Sequence, residues 1–572
     1  MTTGHGGRVH NTGRKLAGRR RTAVVSLSLA LASVLAACSG SDGGAARDAG
    51  DTASSSTSST PTAAPAVCEP PVDTVPVVAT PVPGSETDLD LVSFDRTEIR
   101  AHWFPLPGAT AESPAPTVLM GPGWSLAGDT DLNAVGILGA IDIATLRAAG
   151  YNVLTWDPRG FGASGGVAQV NSVDAEARDV QQLLDWVADQ EVAQLDAERD
   201  PAVGMVGGSY GGGIQLVTAA IDCRVDALVP IVAWHSLRTS LYKADTVKTG
   251  WATKLTDASA SGRVDPHVTS ARDTGLATGR LSDEDLQWFV DRGPGELVEQ
   301  ITVPTLIVQG TVDTLFTLDE GVTNYLVLEG NGVPVAMLWY CEGHGVCLTD
   351  PGDERRVSDA ALAWLDRYVK DDESIDTGPG FDVIDQHGVR YTAERYTDAD
   401  GTPLTATGRG HLDLVHGGGA GPVPLPEGAN GLLSNLVQPI TPARATNAVD
   451  VTLEVDGGPH LVVGAPEVTL EYMGTPGQGE RPQRVFAQLV DETSGLVIGN
   501  QITPIQVELD GEPHTVTVPL EMIAFAAEPG ARITLQLVAT TVAYAQPQLG
   551  GSIELERIEL SLPVSTSLAP AG

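Results

Sequence analysis

Hydrophobic and polar positions divide the chain into distinct rhythms. Between about residues 90 and 370, short apolar runs alternate with stretches of helical spacing. The runs PTVLMG (116–121), YNVLTWD (151–157), AVGMVGG (202–208), DALVPIVAW (226–234), PTLIVQG (304–310) and PVAMLWY (334–340) are almost wholly apolar. Strands of a parallel sheet covered on both faces look like this, because neither face meets water. DAEARDVQQLLDWVADQ (174–190) carries apolar residues at helical spacing between two such runs. The alternation predicts a doubly wound α/β sheet. Residues 236–300 break it: they are polar, helical in pattern and without strong strands, which predicts a cap inserted over the C-terminal edge of the sheet. SDEDLQWFVDRG (282–293) reads as one cap helix, with Ser282 as its N-cap.

From about residue 378 the period becomes two. VDVTLEV (449–455), EVTLEYM (467–473), RVFAQLVDE (484–492), HTVTVPLEM (514–522), RITLQLVATT (532–541) and SIELERIELSLPV (552–564) alternate apolar and polar residues. Turn signals such as Asp510-Gly511 and Pro529-Gly530 separate them. This predicts a C-terminal β-sandwich of jelly-roll type.

The N-terminus follows neither pattern. Arg8, Arg14, Lys15, Arg19, Arg20 and Arg21 precede an apolar run from Ala23 to Ala37 that is too short to span a bilayer. That is a secretory signal pattern. The run closes on Leu35-Ala36-Ala37-Cys38-Ser39-Gly40, which resembles a bacterial lipobox and implies a lipidated Cys38. A diacylated cysteine buries enough CH₂ groups to hold a soluble domain on a membrane. Residues 39–67 are Ser, Thr, Ala, Gly, Asp and Pro without apolar periodicity, as in a flexible tether. The expected organisation is a signal peptide (1–37), a lipid-anchored tether (38–84), an α/β catalytic domain (85–375, cap about 236–300) and a β-sandwich (376–572). The chain would face the extracellular side, and the lipid anchor would be its one membrane contact.

Composition changes this picture in two ways. The formal net charge of −39 would repel phosphate backbones, which excludes nucleic acid as a partner. Five cysteines in an exported chain leave four after Cys38, namely Cys68, Cys223, Cys341 and Cys347, and these read as disulfide candidates. Three pairings exist; Cys341 with Cys347 is the most local, leaving Cys68 with Cys223.

The chemistry gathers at the ends of the apolar runs. Gly207-Gly208-Ser209-Tyr210-Gly211-Gly212 lies between a strand pattern and the small-residue stretch GIQLVTAA, so it is G-x-S-x-G in the strand–turn–helix context it requires. Ser209 is the candidate nucleophile, and the N–H groups of the following helix start would help an oxyanion. A serine needs a base and an orienting acid, which in this fold follow in the order acid, then His. PTLIVQG runs into Thr311-Val312-Asp313, making Asp313 the candidate acid, with Asp319 as the alternative. PVAMLWY runs into Cys341-Glu342-Gly343-His344-Gly345-Val346-Cys347, making His344 the candidate base. Cys341 and Cys347 bracket it, either as a disulfide that pins the base loop or as a metal pair with His344; no HExxH or paired C-x-x-C supports a metal. His102, His235 and His267 precede the acid or fall in the cap and suit packing roles. Asp157 and Arg159, in WDPRGFGASG (156–165), are expected to tie neighbouring loops.

Taken together, DPRGFGASGG, GGSYGG, QGTVDTLF and EGHG resemble the Xaa-Pro dipeptidyl-peptidase and cocaine-esterase type of α/β-hydrolases, as does the junction WLDRYVKDD…TGPGFDV (364–383). The resemblance covers roughly residues 85–565. It implies a capped hydrolase core followed by a jelly roll, a triad at Ser209, Asp313 and His344, and cleavage of a small peptide or ester substrate through an acyl-enzyme, with no metal or organic cofactor. It also implies an oxyanion hole from the N–H of Tyr210 plus a tyrosine hydroxyl on an early loop. Here that loop reads Met120-Gly121-Pro122-Gly123-Trp124-Ser125 and has no tyrosine. The second donor is then expected from the backbone N–H of Gly123 or Trp124, or from the Trp124 indole. An Xaa-Pro dipeptidase needs an acidic group for the substrate amine, for which the cap offers Asp245, Asp257, Asp265 and Asp273. The alternatives are a carboxylesterase or acyl esterase of the cocaine-esterase type and, in another class, a non-catalytic surface protein binding carbohydrate or peptide through the jelly roll. Oligomeric state is not legible.

Overall fold

A computed structural model describes residues 77–132, 141–353, 355–423 and 440–571. Cys38, Cys68 and the whole signal-peptide and lipid-anchor reading fall outside these residues. Among the described residues, no helix is long and apolar enough to cross a membrane.

The apolar runs form one sheet, as their composition demands. Its parallel centre orders Asn152–Trp156, Thr117–Gly121, Val203–Gly208, Ala227–Ile231, Thr305–Gly310, Val335–Tyr340 and Phe381–Ile384 side by side. The antiparallel strands Val78–Pro81, Asp88–Val92 and Glu98–Phe104 extend one edge. Helices cover both faces. Glu176–Ala188, Tyr210–Ile221 and Leu318–Asn331 pack on one side through residues such as Leu183, Leu216 and Val322. Ile143–Ala148 and Arg356–Tyr368 pack on the other through Leu146 and Trp364.

The chain between Leu237 and Gln300 is helical throughout its regular elements, in the expected cap position. Ser282 caps Asp283–Val290 by accepting from the Asp285 N–H. The period-two segments become two facing four-stranded antiparallel sheets. One orders Leu404–Asp413, Ser552–Leu562, Glu467–Thr475 and Pro513–Pro519; the other orders Ala448–Glu454, Arg532–Val538, Arg484–Asp491 and Thr503–Gln506. Val449, Val451 and Leu453 point inward from one sheet onto residues such as Leu470 and Ile558 of the other. The α/β core with a C-terminal antiparallel β region is thus the predicted fold class.

Two expected limits shift. The stretch assigned to the tether up to residue 84 already contains a sheet strand, Val78–Pro81, paired with Asp88–Val92. The hydrolase sheet also does not end at residue 375. Phe381–Ile384 and Arg390–Ala393 continue it, and Ala569–Pro570 returns after the sandwich to pair with the latter. The reason the hairpin escapes a pattern reading is Asp382. It is buried in the strand FDVI because Arg356 and Arg390 pair with it, so a polar letter occupies a core position.

Candidate active site

The strand Val203–Gly208 ends at Ser209, where the backbone takes φ 59° and ψ −116°, and the helix Tyr210–Ile221 starts at once. A positive φ at a residue with a side chain stores strain that the surroundings must hold. The Ser209 N–H donates to Ile231 O at 2.8 Å, and Ser209 O accepts from Gly212 and Gly213. The turn presses against the loop after Thr117–Gly121: a Cβ on Gly211 would lie 2.0 Å from Gly121 O. That contact is the physical reason for the glycine.

Asp313 and His344 stand past the two neighbouring strands, Thr305–Gly310 and Val335–Tyr340. His344 Nε2 is 2.8 Å from Ser209 Oγ, and His344 Nδ1 is 2.7 Å from Asp313 Oδ2. The three residues expected from sequence therefore form one hydrogen-bonded chain, with Asp313 fully buried and Ser209 and His344 nearly so. Asp313 Oδ1 accepts from the N–H groups of Leu315 and Phe316, while Oδ2 takes the His344 N–H as well as its ring. The carboxylate is thus fixed by its own turn. Asp319, the alternative acid, is instead bonded to Lys243 at 2.6 Å. The base loop lies against the acid loop so closely that a Cβ on Gly345 would sit 1.7 Å from Val312 O. Cys341 and Cys347 are joined by a disulfide across this loop. Cys223 is also disulfide-bonded, and its expected pairing with Cys68 falls outside the described residues.

Several contributors had no sequence signal. The imidazole meets the edge-to-face rings of Phe316 at 5.1 Å and of Trp251, from the cap, at 5.7 Å. Trp251 Nε1 donates to Thr314 Oγ1, next to the acid. From the sandwich, Gln501 Nε2 donates to Asp313 O at 2.7 Å, and Asn500 Nδ2 donates to Val346 O at 3.0 Å. A lone Gln or Asn in a distant loop carries no periodicity or motif by which to find it.

Behind the elbow, Tyr210 Oη donates to Glu176 Oε1 at 3.1 Å, and Asn171 Nδ2 donates to Tyr210 O at 2.8 Å. Burial and, to a smaller degree, the nearby Asp179 charge push the Glu176 carboxyl up to about 7. Arg159 binds Asp179 through Nε and Nη2, each at 2.7 Å, and Asp157 accepts from the N–H groups of Gly128 and Ala163, so both tie loops as expected. His102 bonds Asp88 and Asp157, His235 bonds Asn324, and His267 bonds Asp285 while stacking on Trp288.

The oxyanion candidates separate. The Trp124 indole N–H donates to Leu255 O at 3.0 Å, so it is engaged with the cap rather than free for substrate. Its ring packs edge-on against Phe161 and Tyr210. The loop of Gly123 and Trp124 abuts the elbow, since a Cβ on Gly211 would also lie 3.0 Å from Pro122 O. The main-chain N–H groups of Tyr210, Gly123 and Trp124 remain as candidates.

Ser209 opens into a cavity of about 860 Å³, mouth included, roofed by the cap. Leu237, Leu241, Leu255, Val268, Leu286 and Phe316 are among its walls, and among the described residues no carboxylate lines it. Arg272, the one charged lining residue among the described residues, is bonded to Asp273 at 2.8 Å. None of the four cap acids faces this space. Asp265 caps its own helix, Asp273 pairs with Arg272, Asp245 meets Gln506, and Asp257 is exposed.

Such a sheet, with a serine elbow and an ordered acid and histidine, defines an α/β-hydrolase. Residues 99–344 match the model of the family described as X-Pro dipeptidyl-peptidase (S15 family). The fold is shared with a CocE/NonD family hydrolase of Staphylococcus aureus (TM-score 0.60, 13% identity, 84% of this chain and 93% of that one). It is shared also with an aminopeptidase of a marine sediment Thaumarchaeota archaeon (TM-score 0.62, 14% identity, 89% and 99%). An uncharacterised 31.7 kDa protein of Escherichia coli is 28% identical over 170 residues, 29% of this chain and 55% of that protein. The chain spans about half the length of the curated relatives it matches.

Proposed function

We propose that the chain is an exported serine hydrolase that cleaves esters with an apolar acyl group through Ser209, His344 and Asp313. The observation that carries this reading is the hydrogen-bonded triad opening onto an apolar cavity without a carboxylate. Ser209 Oγ attacks the carbonyl while His344 Nε2 takes its proton. Asp313 Oδ2 holds the Nδ1–H tautomer and stabilises the imidazolium. The N–H of Tyr210, with that of Gly123 or Trp124, receives the oxyanion. His344 then returns the proton to the leaving alcohol, and a water on the same base releases the acyl-enzyme.

A dipeptide with a free N-terminal amine would bury its ammonium against Leu and Phe side chains with no counter-charge, a costly arrangement. The peptidase reading therefore rests on the family match alone, and the complete triad argues against a purely binding role. Export, with a lipid at Cys38, is supported by the basic-then-apolar N-terminal pattern and by the Cys341–Cys347 disulfide, which suits an oxidising compartment.

Turnover of nitrophenyl butyrate and of Ala-Pro-nitroanilide by the same preparation tests the substrate class. The ester is expected to be the better substrate in kcat/KM; faster cleavage of the anilide would overturn the ester assignment. A fluorophosphonate probe should label the wild type, and labelling that persists in Ser209→Ala would overturn the nucleophile. That variant should lose roughly 10⁴-fold or more in kcat.

A further inference from the structure

A second, polar concavity lies between the cap and the sandwich, separate from the acyl cavity. It is about 1200 Å³, mouth included, and three arginines line it: Arg280 from the cap, and Arg481 and Arg484 from the sandwich. Arg484 is 94% buried; its Nε donates to Thr246 Oγ1 at 3.0 Å and its Nη1 to Gln483 O at 2.7 Å. Among the described residues, its Nη2 has no hydrogen-bond partner. Arg481 spends its guanidinium on the carbonyls of Gln546, Leu276 and Ala277, which ties the sandwich to the cap. The exposed Arg280 guanidinium makes no hydrogen bond or ion pair among the described residues.

Among the described residues, none of the three pairs with a carboxylate within salt-bridge distance. Scarcity is not the cause, because the chain has 73 acidic residues against 34 Lys and Arg. The carboxylates that share the lining are turned elsewhere: Asp245 accepts from Gln506, Glu508 leans to His514 at 3.8 Å, and Glu480 is exposed. Burial and the neighbouring Arg280 charge hold the Arg484 guanidinium below its ordinary pKa, and the more distant Asp245 charge offsets this only in part. A buried guanidinium without a carboxylate in direct contact is costly unless something else completes it. Its planar fork suits an oxyanion bound through two parallel N–H groups.

We propose that this groove is an anion site, in which Arg484 and Arg280 bind a phosphate- or carboxylate-bearing ligand across the joint between cap and sandwich. The site touches the acyl cavity through a thin wall. Arg280 faces the groove while the next residue, Leu281, lines the cavity; Asp245 and Tyr242 divide in the same way. An anion there would fasten the cap segments that roof Ser209, so occupancy is coupled to the acyl pocket.

The test titrates the intact protein with inorganic phosphate and, separately, with citrate, at ionic strength held constant with chloride. Calorimetry and thermal melting are the readouts. One saturable site is expected with at least one of the two anions. Arg280→Gln should weaken it by about tenfold, the cost of one charge-assisted contact, and Arg484→Gln should remove it with fluorophosphonate labelling of Ser209 retained. Binding of phosphate alone assigns a phosphate ligand, and of citrate alone a carboxylate. No saturable binding of either anion overturns the proposal, as does binding undiminished in Arg280→Gln. Arg280 is exposed, so that variant decides the matter even if Arg484→Gln fails to fold.

Discussion

The proposed nucleophile and its proposed acid–base partners are held by different means. Ser209 is fixed mostly by its own neighbourhood: a strand before it, a helix after it, and glycines that let Gly121 approach. Asp313 and His344 are held by a disulfide across the base loop and, from far along the chain, by Trp251 of the cap and by Gln501 and Asn500 of the sandwich. A local device tolerates no change of bulk but little depends on it elsewhere. A distributed device has several weaker supports, each removable at partial cost.

Four variants sharpen that contrast. Gly211→Ala should be the most damaging, because its Cβ would meet a backbone oxygen that cannot step aside. Loss of soluble protein or of fluorophosphonate labelling is expected, with destabilisation of about 3 kcal/mol or more in denaturant unfolding. Replacing Cys341 and Cys347 together by Ser frees a short loop and should cost about 2 kcal/mol. The melting temperature should fall while the ester is still turned over slowly; unchanged melting would show the loop held by its other contacts. Gln501→Ala removes one hydrogen bond from the Asp313 carbonyl and should lower kcat about tenfold with KM unchanged. Equal loss in Ser209 labelling and in stability would instead mark Gln501 as a general strut.

The smallest effect concerns pH. Glu176 is raised from 4.5 to about 7 in the folded chain, so the native state holds a proton that the unfolded chain releases. Stability from this group is full below about pH 4.5 and is lost as pH rises through 7. Glu176→Gln, which mimics the protonated form, should flatten the pH dependence of melting across that window by about 1 kcal/mol, a fraction of the full linkage. A dependence as steep as that of the wild type would show that Glu176 does not hold this proton.

The same contrast explains what the sequence could reveal. The elbow was legible because its cause is local: glycine, serine and an apolar strand stand together in six letters. The order of Asp313 and His344 was legible because each follows an apolar run. Of the supports of that pair, the Cys341–Cys347 disulfide was legible from its bracketing of His344, whereas Gln501 and Trp251 were not, since they join it only through tertiary packing. The alternation of Val449, Val451 and Leu453 revealed a half-buried strand, whereas Asp382 hid one by carrying a charge into the core. The cap was legible as an interruption, but the chemistry of the space beneath it depended on which side chains turned inward. The four cap acids turned elsewhere.

The return of Ala569–Pro570 to the hydrolase sheet means that the sandwich is not an appendage hung from one hinge. It is bracketed, with Arg390–Ala393 before it and their partner strand after it. During synthesis the α/β sheet lacks its last edge until the entire sandwich has emerged. Such a chain is expected to acquire full resistance to protease late and all at once, and cutting the sandwich away would unpick the sheet it appears to follow.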